Sequence, residues 1–188
     1  MSSDLRNYNR VTVGADGTIW ATKTDFTVYK YSSSTWTQIP GACAREISAN
    51  SIVAIITCTQ TDSNGYNIAV YDSPSNSFLS TNGYGNAIAV GPANNIWYVN
   101  GGGEIFFSTD KGVNWDCYCQ NGNKISRIFV SNSNVAFITT GFNLWKFNPT
   151  LNNFSMFSCN SFLFDSTPFF GKDDIARFLT CLYSGLLM

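Results

Sequence analysis

Three unrelated landmarks along this 188-residue chain return in step, roughly every 39 residues. First-strand signatures begin near Val11, Ile47, Ile88 and Ile128. Third-strand signatures carry Val28-Tyr29, Ile68-Ala69, Ile105-Phe106 and Leu144-Trp145. Fourth strands open on an aromatic at Trp36, Phe78, Trp115 and Phe154. Within one period the apolar and β-branched runs are short and separated by Gly, Asn, Asp and Ser. That pattern reads as strands joined by tight turns. A helical solenoid is excluded, because apolar residues do not recur at helical spacing before residue 160.

Four short strands per period of about 40 residues predict a β-propeller blade, apolar on both faces and stacked between neighbours. The expected fold is all-β, a propeller-like array of about four four-stranded antiparallel blades. The repeats span 10-44, 45-85, 86-123 and 124-159, after an N-terminal arm at 1-9. Residues 160-188 form a C-terminal tail that breaks the period. There Ile175, Phe178, Leu179, Leu182 and Leu186 make a helical stripe that Asp173 or Asp174 would cap. The tail reads as an edge-covering helix or as an irregular, aberrant end.

Composition narrows the chemistry. Aromatics reach 15% and charged residues only 12%, with a net charge of −1. No Lys/Arg cluster is present to neutralise phosphates, so nucleic acid is not an expected partner. The absence of histidine removes the commonest general base and most zinc sites. No cofactor, metal site or transmembrane segment is expected, and Asp16 and Asp110 are expected to hold turns rather than calcium. The first residues are polar and carry no secretory signal, which predicts a cytoplasmic protein whose six cysteines are free thiols, packed as small hydrophobes.

Two stretches resemble known repeat families. Ser108-Thr-Asp110-Lys-Gly112-Val-Asn-Trp115 looks like an Asp-box, a hairpin turn of many β-propellers. Val11-Thr-Val-Gly14-Ala-Asp16-Gly17-Thr-Ile19-Trp20, with Val28-Tyr29, Trp36 and Ile39-Pro40-Gly41, resembles a tectonin repeat. Repeat three is looser, and repeats two and four lack the Trp after the turn. The resemblance implies a non-catalytic, lectin-like module that binds glycans or glycosylated surfaces; the alternative is a protein-interaction scaffold. Trp20, Trp36, Trp97 and Trp115 are the candidate sugar contacts, because an indole face packs on the apolar face of a pyranose. Their shared registers also fit a core role.

The Asp-box also occurs in sialidases, which use three arginines for the substrate carboxylate. Arg10, Arg45 and Arg127 precede the first strands of repeats one, two and four, and the innermost position of those strands would aim them at a central channel. Arg10 and Arg127 are therefore candidate ligand contacts. The chain is short for a sialidase and its only glutamates are Glu46 and Glu104, so a glycosidase is the distant alternative.

Overall fold

A computed structural model describes residues 7–118, 125–140, 143–148, 153–159, 169–170 and 176–177. Seven strands form the first sheet in chain order: β1 (Tyr8–Val13), β2 (Ile19–Lys23), β3 (Thr27–Ser32), β4 (Thr35–Ala49), β5 (Val53–Asp62), β6 (Gly65–Asp72) and β7 (Ser77–Gly85). The second sheet holds β8 (Ala87–Val90), β9 (Ile96–Val99), β10 (Ile105–Ser108) and β11 (Asp116–Tyr118). The third holds β12 (Ile125–Val130), β13 (Ala136–Thr140), β14 (Asn143–Asn148) and β15 (Asn153–Cys159). Neighbouring strands within all three sheets pair antiparallel.

The seven-stranded sheet is two four-strand sets that share β4. Its first half pairs with β3 from Ser32↔Thr35 to Tyr29↔Gln38, and its second half pairs with β5 from Ala44↔Thr57 to Ala49↔Val53. At Gly41 the backbone takes φ 69° and the strand continues into the next set. A left-handed residue turns the chain without ending it, and glycine meets that conformation at low cost.

Apolar layers lie between successive sets. In β5, Val53 and Ile55 face Trp20 and Val28, whereas Ala54 and Ile56 face Ile88 and Ile96. Strand side chains alternate, so a sheet covered on both sides needs a continuous apolar run such as Val53–Ile56. The third layer packs Ala89, Trp97 and Ile105 against Ile128, Ile138 and Phe154.

The innermost strands are stitched side by side. The Thr12 hydroxyl accepts a hydrogen bond from the Ala49 N–H (3.1 Å), and the Ser48 hydroxyl accepts one from the Val90 N–H (2.9 Å). Thr12 and Ser48 hold the same place in their strands, one residue before the last pair with the following strand. A hydroxyl at that place satisfies a backbone donor of the next set.

Between β10 and β11, the Ser108–Trp115 turn is held almost entirely by Asp110 and Ser108. The Asp110 carboxylate accepts from Ser108 Oγ (2.8 Å), from the N–H groups of Val113 (3.1 Å) and Asn114 (2.9 Å), and from Asn114 Nδ2 (2.7 Å). Gly112 N–H donates to Ser108 Oγ at 2.8 Å, with Gly112 at φ 84°. The backbone donor of Asn114, then the Ser108 hydroxyl, hold the Asp110 carboxyl down at about 2 from an ordinary 3.8. The folded chain therefore binds this proton less readily than the unfolded one, so the turn stabilises the fold above pH 4 or so and the contribution disappears as pH falls toward about 2. Asp110→Asn is expected to lower the melting temperature at pH 7 and to flatten its fall below pH 4; parallel acid profiles would refute this.

One expectation, that the cysteines are free thiols, is corrected. Cys43 and Cys58 are joined in a disulfide, with Cα atoms 5.5 Å apart, and Cys117 is exposed and also disulfide-bonded. Cys43 and Cys58 lie one residue beyond the Ala44↔Thr57 pair, where adjacent strands bring Cα atoms to bridging distance. That juxtaposition comes from strand register and is invisible in cysteine spacing. In the tail, Ala176–Arg177 pairs antiparallel with Phe169–Phe170, giving β16 (Phe169–Phe170) and β17 (Ala176–Arg177). The remainder of 160–188 lies outside the described residues.

Candidate functional site

The four candidate tryptophans have different surroundings. Trp20 and Trp97 are each only 2% exposed. Trp20 lies edge-on to Tyr71 (4.6 Å) and Phe78 (6.1 Å), while Trp97 packs on Phe107 (4.2 Å) and Phe147 (5.3 Å). Both belong to the layers between sets, enclosed by aromatic neighbours, as their shared register in the repeat also fits. Trp115 is half-buried, edge-on to Tyr98 at 4.7 Å and close against Gly83 and Gly112, where a Cβ would lie 2.9 and 3.0 Å from its ring. Its role is to lock the turn over β7.

Trp36 differs. It is half-buried, stacked on Tyr8 (5.1 Å, 27° between planes) and tilted against Tyr31 (5.1 Å). Tyr29 meets the edge of Tyr8 at 6.3 Å, and its hydroxyl points to Gln38 Oε1 at 3.4 Å. Lys23 Nζ stands 4.4 Å from the Tyr29 ring centre. Cross-strand register places Tyr31 opposite Trp36 and Tyr29 opposite Gln38, so the platform is built by β1, β3 and β4 together.

The innermost strands β1, β4, β8 and β12 surround a cleft of about 250 Å³. Arg10, Glu46, Ala87 and Arg127 occupy equivalent places, each three residues before the last pair of its strand with the next. In β1, β4 and β12 the ladder slips immediately before that place, between Tyr8 and Arg10, Ala44 and Glu46, and Ile125 and Arg127. Such irregularities re-aim the next side chain. Arg10, Glu46 and Arg127 line the cleft together, and the third set lines it with Ile88, Ala89 and Val90.

Burial pushes the Glu46 carboxyl up to about 7, outweighing the attraction of Arg10 and Arg127 and the Ile88 N–H, all of which favour its ionised form. Because the folded state holds this proton more tightly than the unfolded chain, the neutral carboxyl favours folding at low pH and that contribution fades as pH rises through about 7. Arg45 does not join Arg10 and Arg127. Its guanidinium lies over the rings of Tyr66 (4.2 Å) and Phe26 (5.5 Å), so the expected convergence of three arginines is reduced to two. Tyr66 and Arg45 share a neighbouring cleft of about 410 Å³ with Arg10 and Glu46. Glu46 was not a sequence candidate; its equivalence to Arg10 and Arg127 in the repeat was the signal available.

Asp16 accepts from the Thr18 N–H (2.9 Å) and hydroxyl (2.8 Å), the same turn-holding use made of Asp110. Among the described residues no group of three His, Cys, Asp or Glu is placed to hold a metal, and no helix is long and apolar enough to cross a membrane.

Similar folds occur in solved structures of β-propellers. YCF48 from Cyanidioschyzon merolae matches with a TM-score of 0.58 at 11% identity, over 82% of this chain and 57% of that one. U3-55K matches with a TM-score of 0.65 at 11% identity, over 83% and 53%. Streptogramin B lyase matches with a TM-score of 0.59 at 17% identity, over 81% and 55%. The match thus spans a little more than half the length of these structures. At such identities the likeness establishes the fold alone. No curated protein matches the sequence. The Tectonin domain matches residues 4–150, most of the chain, and together with the stacked antiparallel sets this shows that the protein belongs to the Tectonin domain family of β-propellers.

Proposed function

We propose that this chain is a non-catalytic binding module that recognises a glycan, or a glycosylated surface, on the Trp36 platform. The observation that carries this reading is the state of Trp36. Of the four candidate tryptophans it alone lies outside both the layers between sets and the β10–β11 turn, with Tyr8 and Tyr31 holding its ring. A ring held by stacked neighbours loses little freedom on binding, and Gln38 and Lys23 supply polar groups beside it for sugar hydroxyls. Arg45 lies over Tyr66 and does not line the cleft that Arg10 and Arg127 share, which supports the non-catalytic part of the reading.

Glycan-array binding, followed by titration of the best glycan, tests this proposal. Trp36→Ala is expected to weaken binding at least about tenfold, the loss of roughly 1.4 kcal/mol of aromatic contact. Trp36→Phe should retain part of it. Unchanged affinity in a folded Trp36→Ala chain would sink the glycan reading.

One observation favours a protein partner instead. Val11 and Val13 are 62% and 56% exposed. Their pairs with Ala21 and Ile19 match the pairs of Ile88 and Val90 with Tyr98 and Ile96, which are buried against the second set. An equivalent face is thus uncovered on the first set, and a protein presenting an apolar sheet face would fit it. The neighbour YCF48 has been solved bound to D1 peptide. Val13→Lys separates the readings: glycan affinity should survive it, whereas docking of an apolar protein face should not.

A further inference from the structure

The cleft between the innermost strands brings together two cations and one carboxylate from three separate strands. Along it the Thr12 and Ser48 hydroxyls accept backbone hydrogen bonds from Ala49 and Val90. Arg10 donates only at the limit of hydrogen bonding, 3.5 Å to the neighbouring Asn9 carbonyl. The two guanidiniums act on Glu46 through space from opposite ends of the row of innermost strands. At the corresponding place the third set carries Ala87 and no charged side chain.

We propose that Arg10 and Arg127 together bind a small oxyanion, carboxylate or phosphate-like, in this cleft, with Glu46 as the built-in carboxylate that competes with it. Guanidinium groups suit such a ligand because their planar forks donate two parallel hydrogen bonds to paired oxygens. The surrounding Ile88, Val90 and Ile128 are buried and apolar, which lowers the local dielectric and strengthens the attraction. Two positive groups against one carboxylate leave a single net positive charge while Glu46 is ionised, and two once it is neutral.

The charged and titratable groups facing Glu46 are Arg10 from β1, Arg127 from β12, and Arg45 and Tyr66 in the adjoining cleft, with the Ile88 N–H from β8. Burial pushes the Glu46 carboxyl up to about 7, so Glu46 changes charge between pH 6 and 8. Anion affinity should therefore rise as pH falls from 8 to 6.

Sulfate and acetate, each of constant charge over this range, are titrated into the full chain at pH 6 and pH 8 by calorimetry. The wild-type chain is expected to bind at least one of them, on the order of tenfold more tightly at pH 6, as expected from removing one like charge beside a partly buried anion. E46Q should bind at pH 8 about as tightly as at pH 6. R10Q and R127Q should each abolish binding, and R45Q should leave it unchanged. Acetate binding alone would assign the site to carboxylates, and sulfate binding alone to phosphate-like groups; either supports the proposal. No heat with either anion, or affinity that is indifferent to E46Q and R127Q in folded chains, would overturn it. E46Q predicts a gain rather than a loss, so a folding defect in an arginine variant does not shelter the proposal.

Discussion

Trp97→Ala is expected to cost about 3–5 kcal/mol of folding free energy, the range for removing a large buried aromatic. Trp97 stands at the centre of the layer between the second and third sheets. Phe107, Tyr118 and Phe147 lie 4.2, 5.6 and 5.3 Å from its ring centre, and Phe154 meets it edge-on at 6.5 Å. Domains of this kind hold a total of only about 5–15 kcal/mol, so the variant should unfold at much lower urea. Trp97→Phe should cost much less, because the indole N–H is buried with no hydrogen-bond partner. Trp36→Ala, on a face rather than in a layer, should cost about 1 kcal/mol. Urea midpoints of the three variants decide the matter. A Trp97→Ala midpoint no lower than that of Trp36→Ala would contradict this view of the core.

Reduction of the Cys43–Cys58 bridge is expected to remove about 3 kcal/mol, the chain-entropy value for a loop of about 15 residues. The two cysteines are 15 residues apart in sequence. The bridge joins β4 to β5 close to the place where β4 passes from the first set into the second, and there Thr27 pairs with Cys43 itself. The double variant Cys43→Ala/Cys58→Ala should match the wild-type chain in reductant, after allowance for Cys117. If reductant and the double variant both leave the urea midpoint unchanged, the bridge contributes nothing. The contrast with the Trp97 prediction is mechanistic. A disulfide acts mainly by restricting the unfolded chain, whereas the tryptophan acts through contacts in the folded one.

The repeat was legible because stacked sheets impose the same demand on every set. Each third strand must be apolar on both faces, and Val28-Tyr29, Ile68-Ala69, Ile105-Phe106 and Leu144-Trp145 fall in β3, β6, β10 and β14. The turn at Ser108–Trp115 was legible for a different reason. Its hydrogen bonds run between residues no more than four apart, so local sequence contains the whole device. The ligand contacts were not legible to the same degree. Trp20 and Trp36 both suit a sugar face by residue type, yet alternation in the strands buries one against Tyr71 and leaves the other beside Tyr8.

Local pattern alone therefore determined that the chain is a tandem β repeat, that its strands are antiparallel, and that Asp16 and Asp110 hold turns. These are matters of short range: period-two alternation, left-handed turn residues and carboxylates within reach of nearby N–H groups. Tertiary structure decided which tryptophan remains at a surface, which cysteines meet, and which two of three arginines line the cleft between the innermost strands. Each of those depends on register between strands distant in sequence, where a slip of one residue sends a side chain to the opposite face. Arg45 and Glu46 are adjacent in the chain, and that alternation turns one over Tyr66 and the other toward Arg10 and Arg127.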